Sequence, residues 1–173
     1  MANPNIPNGF DAIGRLDGGA AVAIKGYLNT TQTIACGDAL ILSSGRISIA
    51  ASTSGSLAGV QAPMSGVTRL GSNIHTTPAA DTATWFYDAH HYFCGQCSGT
   101  YAETMRGLIC DIEGTTGIME IDENATTETV VCIDEPILGC YGGRTGLEVG
   151  ANSYVKFHIN RPMFGGMAAD QTS

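Results

Sequence analysis

Charge is what this sequence has least of. Asp, Glu, Lys and Arg supply only 14% of its 173 residues, against about a quarter in ordinary soluble domains. Lysine occurs twice, at Lys25 and Lys156, and the arginines stand singly. With no basic stripe to neutralise phosphates or anionic lipid headgroups, nucleic acid and membrane surfaces are both disfavoured as partners. No apolar run approaches the roughly 20 residues of a membrane-spanning helix. There is no G-x-S-x-G elbow, no phosphate-cradling glycine loop and no H-E-x-x-H, and each of those chemistries needs its motif to place the reacting groups. The expectation is a protein that is not an enzyme and carries no cofactor.

What is present is apolar and small. The hydrophobic fraction is 43%, 23 residues are glycine, and 16 acidic against 8 basic residues leave a formal charge of −8. A surface poor in charge but rich in Thr, Ser, Asn and Gly suits a protein packed against other protein, or an extracellular β domain. The N-terminal run has no basic start and no apolar segment of the kind a signal peptide needs, so maturation in a reducing cytoplasm is expected. On that footing Cys36, Cys94, Cys97, Cys110, Cys132 and Cys140 read as thiols and not as a disulfide framework.

Residues 1–18 hold Pro4, Pro7, Gly9, Gly14 and Gly18 among few apolar side chains, and such a segment reads as an extended arm. Ile6 and Phe10 are its apolar points, either anchors on a neighbour or tucked against the chain's own core. Beyond it, short β runs alternate with Gly, Ser, Asn and Asp. Residues 21–28 are a first strand. Residues 39–42, then Ser43-Ser44-Gly45, then 46–50 read as a hairpin. Residues 57–61 are another short strand. Residues 62–83 form a loop or a seam between two modules. Strands are expected at 84–88, 91–97, 107–113, 117–121, 127–133 and 153–159. In the last of these Val155, Phe157 and Ile159 face one way while Tyr154, Lys156 and His158 face the other. The best helical candidate, around 101–106, is short. The fold expected is all-β: a barrel or jelly-roll-like sandwich of short antiparallel strands over 19–161, with a loose tail at 162–173.

Three constellations invite chemistry. Cys94-Gly-Gln-Cys97 has the C-x-x-C spacing of a zinc or redox site. Placed in a strand, though, it points its two sulfurs to opposite faces, with no helix N-terminus to activate either. Cys110, sharing a face with Leu108 and Ile112, and Cys132, between Val131 and Ile133, read as core thiols. Asp88, His90 and His91, with His75 or Asp111, have side chains that suit a divalent ion, but their spacing does not converge them, so no metal is assigned. Asp122-Glu123, running on to Glu128, reads as a solvated loop tip.

Several segments line up, in order, with one known family. Met1-Ala-Asn-Pro-Asn-Ile-Pro-Asn-Gly-Phe10 with Gly14-Arg-Leu-Asp-Gly18 resembles the opening of the small capsid-stabilising (decoration, or cement) proteins of tailed bacteriophages. Gly37-Asp-Ala-Leu-Ile-Leu42, Gly45-Arg-Ile and Leu57-Ala-Gly-Val60 are similar to that family's strand, hairpin and following strand. Phe86-Tyr-Asp-Ala-His90 with residues 92–98 is similar to its aromatic strand and turn. Pro136-Ile-Leu-Gly139 and Val149-Gly-Ala-Asn-Ser-Tyr-Val-Lys-Phe-His-Ile-Asn160 resemble its closing block. The chain departs from the pattern at His90-His-Tyr-Phe-Cys94, where the family carries an Asp-Pro-Asp turn, and in its cysteine content.

The resemblance implies a subunit made in the host cytoplasm that ends on the exterior of a virion. Its partners would be the major capsid protein and copies of itself, by analogy a homotrimer in preference to a homodimer. Ile6, Pro7 and Phe10 are then expected as arm contacts, and Trp85 and Tyr87 as a second contact patch with Phe86 turned the other way. The competing readings are another virion β protein, tail- or fibre-associated, and a host-surface or carbohydrate-binding β domain.

Overall fold

A computed structural model describes residues 9–29, 32–63, 74–77, 83–123, 131–136 and 149–163. Among them the fold is all-β. The strands are β1 (Asp11–Arg15), β2 (Ile24–Tyr27), β3 (Gln32–Ala35), β4 (Ala39–Ser43) and β5 (Arg46–Ile49). They continue with β6 (Gly59–Gln61), β7 (Ile74–Thr77), β8 (Ala83–Asp88), β9 (His91–Gln96) and β10 (Thr100–Tyr101). The last five are β11 (Ile109–Glu113), β12 (Glu120–Asp122), β13 (Val131–Pro136), β14 (Gly150–Ala151) and β15 (Tyr154–Ile159). The expected helix at 101–106 is a single 3-10 turn, Glu103–Met105.

Two antiparallel sheets carry the structure. The larger runs β1-β9-β15-β13-β11-β12 and the smaller β2-β8-β6-β4-β5, with the ribbons β3-β7 and β10-β14 beside them. The barrel alternative fails because neither sheet closes. Each curls only far enough for one isolated bridge, Cys97 to Ile121 in the larger and Leu28 to Ile47 in the smaller. The outcome is a sandwich.

One core joins the two sheets. Phe93, Val131, Ile133, Val155, Phe157 and Ile159 from the larger sheet pack with Ala39 and Val60 from the smaller, together with Leu57. The alternation expected over β15 is what delivers Val155, Phe157 and Ile159 to that side. The far face of the smaller sheet buries a second cluster, Leu40, Ile47 and Phe86 with Leu28 and Ile34. That sheet is therefore apolar on both faces, as Leu40 and Ile41 in succession require. The β4–β5 hairpin turns through Ser44 and Gly45, both at positive φ (51° and 76°), the mirror-image turn whose twist matches paired strands.

The extended arm expected over 1–18 is corrected from residue 9 onward. Phe10 is 1% exposed and its amide donates to the Gly37 carbonyl at 2.8 Å. Its ring meets Phe157 edge-on at 5.1 Å and covers Gly95, where a Cβ would fall 2.4 Å from Phe10 Cδ1. From Asp11 the chain pairs with β9 as an edge strand. A segment too polar to fold alone gains its order from one aromatic ring seated in a core built by distant strands.

The cysteines divide. Cys97 and Cys110 are core thiols. Cys94, fully buried on the opposite face of β9, is disulfide-bonded, which corrects its reading as a thiol. Cys132 lies opposite His158 on β15 and is half-buried on the outer face of the larger sheet. Its neighbours Val131 and Ile133 take the core positions, and strand alternation turns Cys132 away from them.

Candidate docking flank

The β8–β9 corner, two strands joined by a tight turn but not paired with each other, passes from the smaller sheet to the larger, and an edge strand lies alongside each. β2 pairs with the outer side of β8 and β1 with the outer side of β9. The segment 16–23 joins the two edges, so residues 11–27 form one continuous flank of the sandwich.

This flank collects apolar surface. Of the eleven exposed large apolar side chains among the described residues, five lie on it, Ile13, Leu16, Val22, Ile24 and Tyr27, and a sixth, Trp85, stands beside it on β8. Trp85 and Tyr27 are about half exposed, at 53% and 51%. The register Lys25↔Trp85 puts those two on one face, and Lys25 Nζ lies 5.5 Å from the Tyr27 ring centroid. Within residues 11–27 the charges are Asp11, Arg15, Asp17 and Lys25, which cancel, on a chain whose total is −8. The Arg15 guanidinium pairs with Asp17 at 3.2 Å. With the Gly19 amide it holds that carboxylate below its usual range.

At the turn between β8 and β9 the ring of His91 is buried. Its Nδ1 lies 2.9 Å from Asp88 Oδ1, while the Val22 amide donates to Nε2 at 3.1 Å. His90 Nδ1 stands 3.7 Å from Asp88 Oδ2. Asp111 sits far along the larger sheet on β11, and the side chain of His75 lies outside the described residues. Among the described residues no three metal-binding side chains gather to hold an ion.

Of the residues singled out as contacts, Trp85 is exposed beside the flank. Tyr87, on the same face of β8, is half-buried against the main core and the His91 ring (5.5 Å between centroids), and Phe86 faces the other way into the second cluster. Phe10 is core. Ile6 and Pro7 lie outside the described residues. Sequence reasoning missed Ile13, Leu16, Val22, Ile24 and Tyr27. A strand pattern reports period and not edge position, and it is edge position that leaves both faces of β2 in water.

A second half-exposed group lies on the outer face of the larger sheet. Lys156 Nζ sits 4.1 Å over the Tyr92 ring, and His158 Nδ1 is 3.3 Å from Asp134 Oδ2. Cys132 completes a Cys, His, Asp set. Burial, then Asp134, pushes its thiol upward, the opposite of what a nucleophile requires.

Compared with protein families, with curated proteins and with solved structures, the chain matches none.

Proposed function

We propose that this chain is a decoration subunit that binds the outside of a tailed-phage capsid and stabilises the assembled shell, acting as a homo-oligomer on the major capsid protein. The ordered resemblance described above supplies the class. The observation that carries the reading is the electroneutral apolar flank of β1, segment 16–23 and β2. An acidic subunit meets another protein at least cost where its own charges cancel and apolar area is ready to be covered. Binding only the assembled shell stabilises it by mass action, and an oligomer adds effective concentration.

Exposed Trp85 and Tyr27 also suit a carbohydrate platform. The side chain between them is Lys25, however, and not the carboxylate or amide that usually bonds sugar hydroxyls.

Purified protein is expected to co-sediment with expanded capsids and not with unexpanded precursor shells. Trp85→Ala combined with Tyr27→Ala should weaken that binding at least tenfold, in line with loss of about 2 kcal/mol from central aromatic contacts, while far-ultraviolet circular dichroism stays unchanged. Equal binding to both shells, or to neither, sinks the reading.

A further inference from the structure

We infer that His91 is an acid-sensitive latch on this flank: uptake of a second ring proton frees the Val22 end of segment 16–23 from the β8–β9 corner, while the Leu16 end stays tied by its amide to the His90 carbonyl at 2.9 Å. The geometry assigns both ring nitrogens. Nδ1 faces two acceptors, the Asp88 carboxylate at 2.9 Å and the Asp88 carbonyl at 3.0 Å, so it carries hydrogen. Nε2 faces a donor, the Val22 amide at 3.1 Å, so it is the bare lone pair. The ring, 1% exposed, is thereby required to be neutral while Val22 is held.

The surroundings decide what a proton does. Tyr87 and Phe93 lie beside the ring, at 5.5 Å and 6.2 Å between centroids. From β1, Arg15 is the register partner of His91, with its guanidinium occupied by Asp17. From the turn, His90 and Asp88 complete the charged neighbours. A proton added at Nε2 turns that atom into a donor facing a donor, and the Val22 bond is lost. On the other side the imidazolium faces the Asp88 carboxylate at 2.9 Å, which keeps the ring seated in the β8–β9 corner. Protonation therefore moves the Val22 end of the segment and not the corner or the Leu16 end.

Segment 16–23 carries Leu16 and Val22 and feeds directly into β2 with Ile24, Lys25 and Tyr27. Freeing its Val22 end changes the shape of the flank where the chain enters β2. That consequence for docking rests on the function proposed above; the latch itself does not.

The test uses the full chain, isotopically labelled. It is titrated from about pH 7.5 to about pH 5.5, the interval over which histidine changes charge. The His91 ring resonances and the exchange protection of the Val22 amide, corrected for intrinsic exchange, are followed together. Val22 protection should fall about tenfold, the worth of one hydrogen bond, in step with His91, while β9 and β15 amides stay protected. His91→Gln, which offers a carbonyl oxygen in place of Nε2, should hold Val22 with no such pH dependence. If that variant does not fold, the wild-type titration decides alone. Val22 protection that survives His91 protonation, falls without it, or persists because His91 stays neutral throughout overturns the latch. Capsid co-sedimentation at the same two pH values separates the claims: an opened latch with unchanged capsid binding leaves the latch standing and removes the flank from docking.

Discussion

Asp38 Oδ1 accepts the amide proton of Gly117 at 2.7 Å, across 79 positions of chain. Its other oxygen accepts the Ala35 amide at 2.7 Å. Asp38 leads into β4 of the smaller sheet and Gly117 lies in the turn before β12 of the larger, so one fully buried carboxyl ties the layers of the sandwich. Burial pushes this carboxyl up to about 6, even though both backbone bonds pull it down.

The sign of the resulting pH dependence follows. Asp38 is harder to ionise folded than unfolded, so its contribution to stability is full below the unfolded value of 3.8 and is lost as pH rises through about 6. Between about pH 4.5 and about pH 7 the loss should be on the order of 2 kcal/mol. Asp38→Asn cannot titrate, so the stability of wild type relative to this variant should fall by that amount over the same interval. Urea unfolding at the two pH values measures it, and a difference that stays constant with pH removes Asp38 as the source.

The second prediction concerns Phe10, whose ring fills the space above Gly95 and meets Phe157. Phe10→Ala should destabilise the sandwich by about 3–5 kcal/mol, the cost of emptying a buried aromatic site. Gly95→Ala should cost about 1–3 kcal/mol by overpacking the same place. Thermal unfolding of both variants is the check. A Phe10→Ala protein as stable as wild type would mean that residues before β1 contribute nothing to the core.

These cases show what was legible in the sequence. The period of two in β15 and the Ser44-Gly45 turn are local signals, and the strands stand where those signals put them. Phe10 was not legible, because what orders it is a hole between β9 and β15 that no local pattern reports. β1, β3 and β7 went unread for the same reason: they are short strands with mixed side chains, and they are strands because of the partner they pair with. Cys132 was legible and misread, since apolar neighbours on both sides in a strand put a residue on the face opposite theirs. Beside the flank, Trp85 was found through its aromatic neighbours. Tyr27 and Val22 depend on which strands end up as edges.

A third prediction separates the thiols. Burial, followed by the nearby Glu123 carboxylate, pushes Cys110 up to about 12 and Cys97 higher still. At about pH 8 roughly one molecule in ten thousand would carry a Cys110 thiolate, and access is closed besides. Iodoacetamide applied to native protein should leave Cys97 and Cys110 unmodified by peptide mass spectrometry and should label both after unfolding in urea. Rapid native labelling of either would contradict their placement in the core.

The last prediction comes from a hairpin that works against itself. β11 and β12 pair so that Asp111 faces Asp122 and Glu113 faces Glu120, while Ile112 and Ile121 take the core side. Asp122 and Glu123 are thus not a solvated loop tip: Asp122 ends β12, and Glu123 is buried with its carboxylate on the Gly99 amide. Like charges directly across a sheet are destabilising. Glu120 has one carboxylate oxygen buried with no bonding partner, and burial, then Glu113 and Glu123, raises its pKa. A raised carboxyl favours the fold at acid pH and opposes it as pH rises through the shifted value. Glu120→Gln removes the charge at nearly constant volume and should stabilise the protein by about 1 kcal/mol at neutral pH. That gain should shrink toward zero as acid protonates Glu120 in the wild type. Denaturant midpoints at several pH values measure the trend. A gain that persists undiminished in acid would show that the variant acts through packing and not through charge.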